Sequence, residues 1–361
     1  MLKKKILITL GTRPELIKLY PLIKSMRNSK RFLVKTCYTG QHRELVKMSS
    51  KIFDFDPDFS LNIMKESQSS IEIVKNIFNK FEKIKDRYNF ESIIVQGDTT
   101  TAMSAALAAF YLKKEIIHIE AGLRTKDIND PFPEEGNRKI ISQIASLHFA
   151  PTKIAKNNLI EEGIKSKNIF IVGNTVIDTL KIISKKYKIK TSKENIVLCT
   201  IHRSENIKKN INIIIESLLA IAKENPDWKI IWPHHPNPVI KKKLGKIFNK
   251  QKNLVILNSL NYLDFLKVLK KCKIIVSDSG GVQEEATYLG KYVFIMRKST
   301  ERPEVLNNKI GEILSFNKTL IVEKINRFIK KEKWLKIKAS NCFGIGNSSQ
   351  IIHKILKTNL Y

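Results

Sequence analysis

The sequence predicts an α/β protein with two doubly wound parallel sheets, one in each half of the chain. Three observations lead there. Short apolar, β-branched runs alternate with stretches whose apolar residues recur at helical spacing. The alternation runs through once to about residue 172 and then begins again. Strand after strand ends in a cluster of polar and charged residues, which is where open parallel sheets bind their ligands.

In order, residues 6–10 form the first strand. Residues 15–26 follow, with Leu16, Leu19, Leu22, Ile23 and Met26 at helical spacing. Residues 33–38 are the second strand, with a helix from about His42. Residues 92–95 are the third, ending in Gly97-Asp98, and the Ala-rich stretch 99–112 is its helix. Residues 116–119 are the fourth, ending in Glu120-Ala121-Gly122. A polar loop, 124–133, then leads into a helix from Glu134. Residues 170–172 close the first half at Gly173-Asn174. In the second half strands are expected at 195–200, 229–232, 254–257, 274–276 and 292–295, with a helix at 211–223. This places the domains at 1–172 and 173–345.

A length of 361 residues suits two domains of ordinary size, and 42% hydrophobic residues is the content of a globular chain. No apolar run reaches the roughly 18 residues of a membrane span, so no membrane insertion is expected. The start, Met1-Leu-Lys-Lys-Lys, leads straight into a strand and shows no signal peptide pattern. Cys37, Cys199, Cys272 and Cys342 are far apart, without CxxC spacing. That argues against zinc or a disulfide framework and suits a reducing cytoplasm. The net charge of +31 comes from lysines scattered in pairs along expected helices, with no RNA-recognition or zinc-finger pattern. It is read as a solvated surface rather than a nucleic-acid footprint, though it can draw an anionic substrate inward.

The strand ends supply the candidate residues. Thr12 and Glu15 have capping-box spacing and Pro14 suits a first turn, which leaves Arg13 as a fixed cation at a strand tip, with Lys18 one turn on. Asp98 and Glu120 end the third and fourth strands; Asp98 has a competing role as a helix cap. Glu134 and Arg138 share a helical face, as a surface ion pair or as part of a site. Several carboxylates in one cleft suggest acid/base work. His202-Arg203 and Arg302 add cations in the second half. Asp278-Ser279-Gly280-Gly281 opens a helix after an apolar run, as phosphate-binding turns do, yet Glu284 and Glu285 follow within it. These two are about 100° apart around a helix, so one face takes Glu285 and Glu284 is expected elsewhere. No G-x-G-x-x-G sequence and no P-loop follows a strand here, so no nicotinamide cofactor is expected. His234-His235 lacks metal-site spacing, so no metal is expected either.

Taken together, the ordered motifs GTRPELIKLYPLI, TGQHRE, QGDTTT, HIEAGLRT, PFPEEGNRK, LHFAPT, GNTVIDTL, IHRSEN, SDSGGVQEEA and TERPE resemble the UDP-N-acetylglucosamine 2-epimerase family over nearly the whole chain. The resemblance implies the GT-B fold: two Rossmann-like doubly wound parallel-sheet domains facing across a cleft, with a C-terminal helix, 346–361, packing back on the first. It implies interconversion of UDP-N-acetylglucosamine and UDP-N-acetylmannosamine through loss and return of UDP, without a cofactor, in a cytoplasmic homodimer serving surface polysaccharide synthesis. Asp98, Glu120 and Glu134 match the family's catalytic carboxylates and His202 its histidine near the diphosphate. Arg13, Lys18, Arg138 and Arg302 match substrate-binding cations, Ser279, Gly280 and Gly281 the phosphate turn, and Glu285 the ribose carboxylate. Gln41, His42 and His235 match a region where some members bind an activating second UDP-N-acetylglucosamine. Many members carry Gly-His-Arg-Arg-Glu where this chain has Ile201-His-Arg-Ser-Glu205, a form resembling a subgroup that includes epimerases of other UDP-2-acetamido sugars. A hydrolysing epimerase and a GT-B glycosyltransferase stay open as alternatives.

Overall fold

The first crossover shows how the sequence builds its layers. Strand β1 (Lys4–Leu10) buries its apolar run and stops at Gly11. The Thr12 hydroxyl accepts the Glu15 N–H while the Glu15 carboxylate accepts the Thr12 N–H, a closed capping box. With Pro14 in the first turn, helix α1 (Arg13–Arg27) starts two residues ahead of the expected 15. In this computed structural model, which describes residues 3–40, 52–63, 68–192, 194–203, 205–234 and 251–360, the chain forms two units. One is Met1–Lys181 with Phe343–Tyr361, the other Ile182–Cys342.

The first unit continues through β2 (Phe32–Tyr38), β3 (Phe59–Ser60), α2 (Ser70–Arg87), β4 (Ser92–Gln96) and α3 (Thr100–Tyr111). Then come β5 (Glu115–Ile119), α4 (Glu134–Ile144), β6 (Leu147–Ala150), α5 (Lys153–Glu161), β7 (Ile169–Ile171) and α6 (Thr175–Lys186). Its seven strands are all parallel, in the order β3-β2-β1-β4-β5-β6-β7. Leu7, Ile93 and Val95 pack with Ile77, Phe81 and Ile84 of α2 and the alanines of α3, whose small side chains let that helix lie close to the sheet. Helix α2 was not among the expected elements, although Ser69 and Glu72 spell a second capping box before Ile73, Ile77, Phe81 and Ile84.

The second unit holds β8 (Ile196–Thr200), α7 (Ile211–Glu224), β9 (Lys229–Pro233), β10 (Leu254–Leu257), α8 (Tyr262–Lys271) and β11 (Ile274–Ser277). It goes on through α9 (Gly280–Leu289), β12 (Tyr292–Ile295), α10 (Pro303–Asn307), β13 (Gly311–Ile313) and α11 (Lys318–Lys330). Its six strands are again parallel, in the order β10-β9-β8-β11-β12-β13. Val197, Trp232 and Phe294 of the sheet meet Leu218, Ile221, Phe328 and Ile329 of α7 and α11 on one face. Strands β3, β6 and β13 are two, four and three residues long and were not anticipated, because so short a run carries no readable period.

Helix α12 (Ser348–Asn359) returns to the first unit beside α1. Asp178 caps it, accepting the Ser348 and Ser349 N–H groups at 3.1 and 2.8 Å and the Ser349 hydroxyl at 2.6 Å. At the point of return the Asn174 N–H donates to the Phe343 carbonyl at 2.7 Å, and Lys181 Nζ to the Ile345 carbonyl at 2.9 Å. Gly173 and Gly344, with φ of +81° and +98°, lie back to back there. A Cβ on Gly173 would come within 2.9 Å of the Gly344 Cα, so neither position has room for a side chain.

Candidate active site

In both sheets the strand order reverses beside the first strand of the unit, between β1 and β4 and between β8 and β11. That reversal opens a crevice at the carboxyl ends of the strands, where doubly wound sheets take ligands. In each unit a buried carboxylate bridges the reversal.

In the first unit the bridge is Glu15. Besides the capping box it accepts the Gly11 N–H at 2.9 Å and the Thr99 hydroxyl, from beyond β4, also at 2.9 Å. Burial raises its carboxyl above the ordinary value against the pull of these hydrogen bonds. Arg13 stands half-buried as the first residue of α1. Thr99, not Asp98, caps α3, since its hydroxyl accepts the Ala102 N–H at 3.0 Å. Asp98 instead receives Arg138 Nε at 2.8 Å. Arg138 also holds Glu135 through Nη1 at 2.7 Å, and Asn137 donates to the Asp98 carbonyl at 2.8 Å. Glu134 opens α4, half-buried, on the turn that presents these groups.

Glu120 directly follows β5, with φ of +65°. A non-glycine residue in the left-handed region is uncommon, and such backbones cluster at functional sites. The conformation turns its carboxylate back over the neighbouring tip. Lys18 Nζ reaches its two oxygens at 2.6 and 2.7 Å, Asn174 Nδ2 donates at 2.7 Å, and Gln96 Nε2 donates as well. The carboxylate is 5% exposed. Behind it His118, fully buried, has Nε2 at 2.9 Å from the Gly97 carbonyl. Burial pulls this imidazole down to about 3, so it is neutral, and Nε2 must carry the hydrogen that the carbonyl accepts. Asp98 and Glu120 are thus brought together at adjacent tips, each against a cation.

In the second unit the bridge is Asp278. It accepts the His202 and Arg203 N–H groups at 3.1 and 3.0 Å, Asn206 Nδ2 at 3.0 Å, and faces His202 Nδ1 at 2.9 Å. Burial by itself would raise this carboxyl. The His202 ring and these hydrogen bonds outweigh it and hold the group down at about 2. The result is a half-exposed imidazole oriented from behind by a buried anion. Ser279 precedes α9, and Gly280 and Gly281 are its first two residues. A Cβ on Gly280 would lie 2.6 Å from Arg302 Cζ, whereas one on Gly281 would meet nothing within 4 Å among the described residues. The helix N-terminus is therefore backed by Arg302 on one side and open on the other, the electrostatics that suit an anion.

Glu284 and Glu285 are both buried, at 0% and 3%. Glu284 accepts Arg302 Nε at 2.7 Å, so the carboxylate set aside in the sequence positions the arginine. Glu285 accepts the Tyr262 hydroxyl at 2.7 Å; burial and this carboxylate push the phenol well above its ordinary value, which keeps it a donor. Arg302 Nη1 also pairs with Glu301, which holds Arg297 at 2.6 Å on its other oxygen.

Gln41, His42 and His235 lie outside the described residues. Among the described residues no group of three His, Cys, Asp or Glu side chains stands ready for a metal ion, and no helix is long and apolar enough to cross a membrane. Sequence reasoning missed Glu15, Gln96, Asn174, Asp278 and Glu301 as site-shaping residues. Asp278 had a usable signal, an acid placed directly after an apolar strand beside glycines. Gln96 and Asn174 had none, because their roles depend on which strand tips end up adjacent.

A family model described as UDP-N-acetylglucosamine 2-epimerase matches residues 24–357. The chain is 40% identical to a UDP-N-acetylglucosamine 2-epimerase of Campylobacter jejuni, over 98% of this chain and 97% of that protein. Among solved structures it is similar to the UDP-GlcNAc 2-epimerase of Neisseria meningitidis bound to UDP-GlcNAc, at 38% identity and a TM-score of 0.94, covering 98% of this chain and 100% of that one. It is also similar to the Methanocaldococcus jannaschii enzyme in complex with UDP-GlcNAc and UDP, at 34% identity and a TM-score of 0.86, covering 98% and 100%. These neighbours share the expected GT-B class of two parallel-sheet α/β domains. On this breadth of likeness, the chain belongs to the UDP-N-acetylglucosamine 2-epimerase family.

Proposed function

We propose that the protein is a non-hydrolysing epimerase that interconverts UDP-N-acetylglucosamine and UDP-N-acetylmannosamine. The observation that carries this reading is the pair of tip carboxylates, Glu120 against Lys18 and Asp98 against Arg138, within one crevice. C2 of an N-acetylhexosamine has no neighbouring carbonyl to acidify its proton. Departure of UDP breaks the C1–O bond, its electron pair leaving with the diphosphate, and the developing positive charge at C1 acidifies the C2 proton. A carboxylate takes that proton as the C1=C2 bond forms, giving a 2-acetamidoglucal and UDP. A second carboxylic acid delivers a proton to the opposite face of C2 while the UDP oxygen returns to C1. Asp98, Glu120 and Glu134 are the candidates for these two transfers.

The second unit's residues fit the leaving group. His202, the turn Ser279-Gly280-Gly281 and Arg302 would take the diphosphate, and Glu285 would accept the ribose hydroxyls. Glu285 lies a full helical turn beyond the glycines, so its charge need not meet the phosphates. The proposal extends to a cytoplasmic homodimer that supplies a surface glycan. The test is incubation with UDP-N-acetylglucosamine and NMR of the sugar products. An equilibrium mixture of two UDP-sugars is expected; stoichiometric free UDP with N-acetylmannosamine would establish the hydrolysing reaction instead.

A further inference from the structure

Asn174 sits where the chain leaves β7, and its backbone N–H and both side-chain polar atoms are engaged. Its backbone N–H donates to the Phe343 carbonyl at 2.7 Å. Its side-chain oxygen accepts the Val176 N–H at 3.1 Å, which starts α6. Its side-chain NH2 donates to Glu120 Oε1 at 2.7 Å. The oxygen's partner fixes the amide's orientation: with Oδ1 on an N–H, Nδ2 is the atom turned to the carboxylate. The residue is 3% exposed, so this amide is held in place by its surroundings.

We propose that Asn174 is a positioning residue for proton transfer by Glu120, aiming the carboxylate through Nδ2 while Oδ1 is held by the Val176 N–H and the backbone is tied to the chain's return at Phe343. The inference rests on the acid/base role of Glu120 given above. Lys18 supplies charge but, as a flexible point donor, fixes little direction. The amide supplies direction, and Glu120's left-handed backbone leaves its carboxylate dependent on such partners.

The geometry provides a selective variant. Asn174→Asp keeps an oxygen for the Val176 N–H and leaves the backbone bond to Phe343 intact, but replaces the donor with a second carboxylate. It is expected to fold with an unchanged circular dichroism spectrum and to lose about tenfold to a hundredfold in kcat, with KM changed less than about threefold. The limb of the pH–rate profile that belongs to Glu120 moves to higher pH, because adjacent carboxylates resist simultaneous ionisation. Asn174→Ser, which keeps a capping oxygen and is too short to reach Glu120, serves if the aspartate variant does not fold; it is expected to lower kcat likewise. Wild-type kcat and pH profile in the folded variant, alongside an inactive Glu120→Gln, would overturn the positioning role alone. An active Glu120→Gln would remove the acid/base reading and this inference with it.

Discussion

At the scale of single residues, the first unit spends its buried charge on orientation. The Glu120 carboxylate faces Lys18 and the Asn174 amide, and the Asp98 carboxylate faces Arg138 while Asn137 holds the Asp98 backbone carbonyl, so both carboxylates have defined directions before any substrate arrives. Glu120→Gln and Asp98→Asn keep shape and volume and remove the negative charge together with the ability to exchange a proton. Each is expected to leave the circular dichroism spectrum unchanged and to lower turnover by about a hundredfold or more; near-wild-type rates in both would refute the assignment. The strand-tip acids were legible in the sequence because a charged residue after an apolar strand has few structural excuses. Their partners were not. Gln96 to Glu120, and Thr99 to Glu15, are contacts between the ends of neighbouring elements, and local pattern does not say which ends become neighbours.

At the scale of elements, the same limit separates the two glutamates of α9. Helical geometry put Glu284 and Glu285 on different faces, yet both faces are buried, one on Arg302 and one on Tyr262. What periodicity gives is direction from the helix axis; what lies in that direction is set by the packing of other segments. The glycine pair makes a sharper test. Gly280→Ala must displace Arg302 and is expected to cost about 1–3 kcal/mol of stability. Gly281→Ala meets nothing, so its melting temperature should equal or slightly exceed the wild type's, while the added methyl fills the open space over the helix N-terminus. Calorimetry with UDP should show weaker binding in Gly281→Ala despite unchanged stability. Undiminished binding would move the diphosphate elsewhere.

At the scale of the whole molecule, acid should act through two histidines that pair in register on β5 and β6. Burial lowers His118 to about 3 and His148 to about 4, whereas in the unfolded chain both titrate near ~6.5. Between those values the unfolded chain binds more protons than the folded one. The stability from keeping them neutral is therefore full above about pH 7 and drains as pH falls toward 4. Asp278, held at about 2, loses its contribution only in stronger acid and does not blur this window. Urea midpoints should fall between pH 7.5 and pH 5, and fall less in His118→Gln, which keeps a donor for Gly97. A midpoint independent of pH over that range would contradict the assignment.

The alternation of strands and helices made both sheets legible, whereas the chain's return to the first unit was an expectation that only the resemblance supplied. Residues 182–342 interrupt the first unit, and the seam is closed by Asn174 to Phe343 and Lys181 to Ile345. In engineering terms the second unit is a cassette with both leads at one terminal block. It is expected to be excisable and to be expressed alone, with the gap bridged by a few glycines. The chain could also be circularly permuted, with new ends placed in the cassette, while the seam beside Glu120 stays as it is.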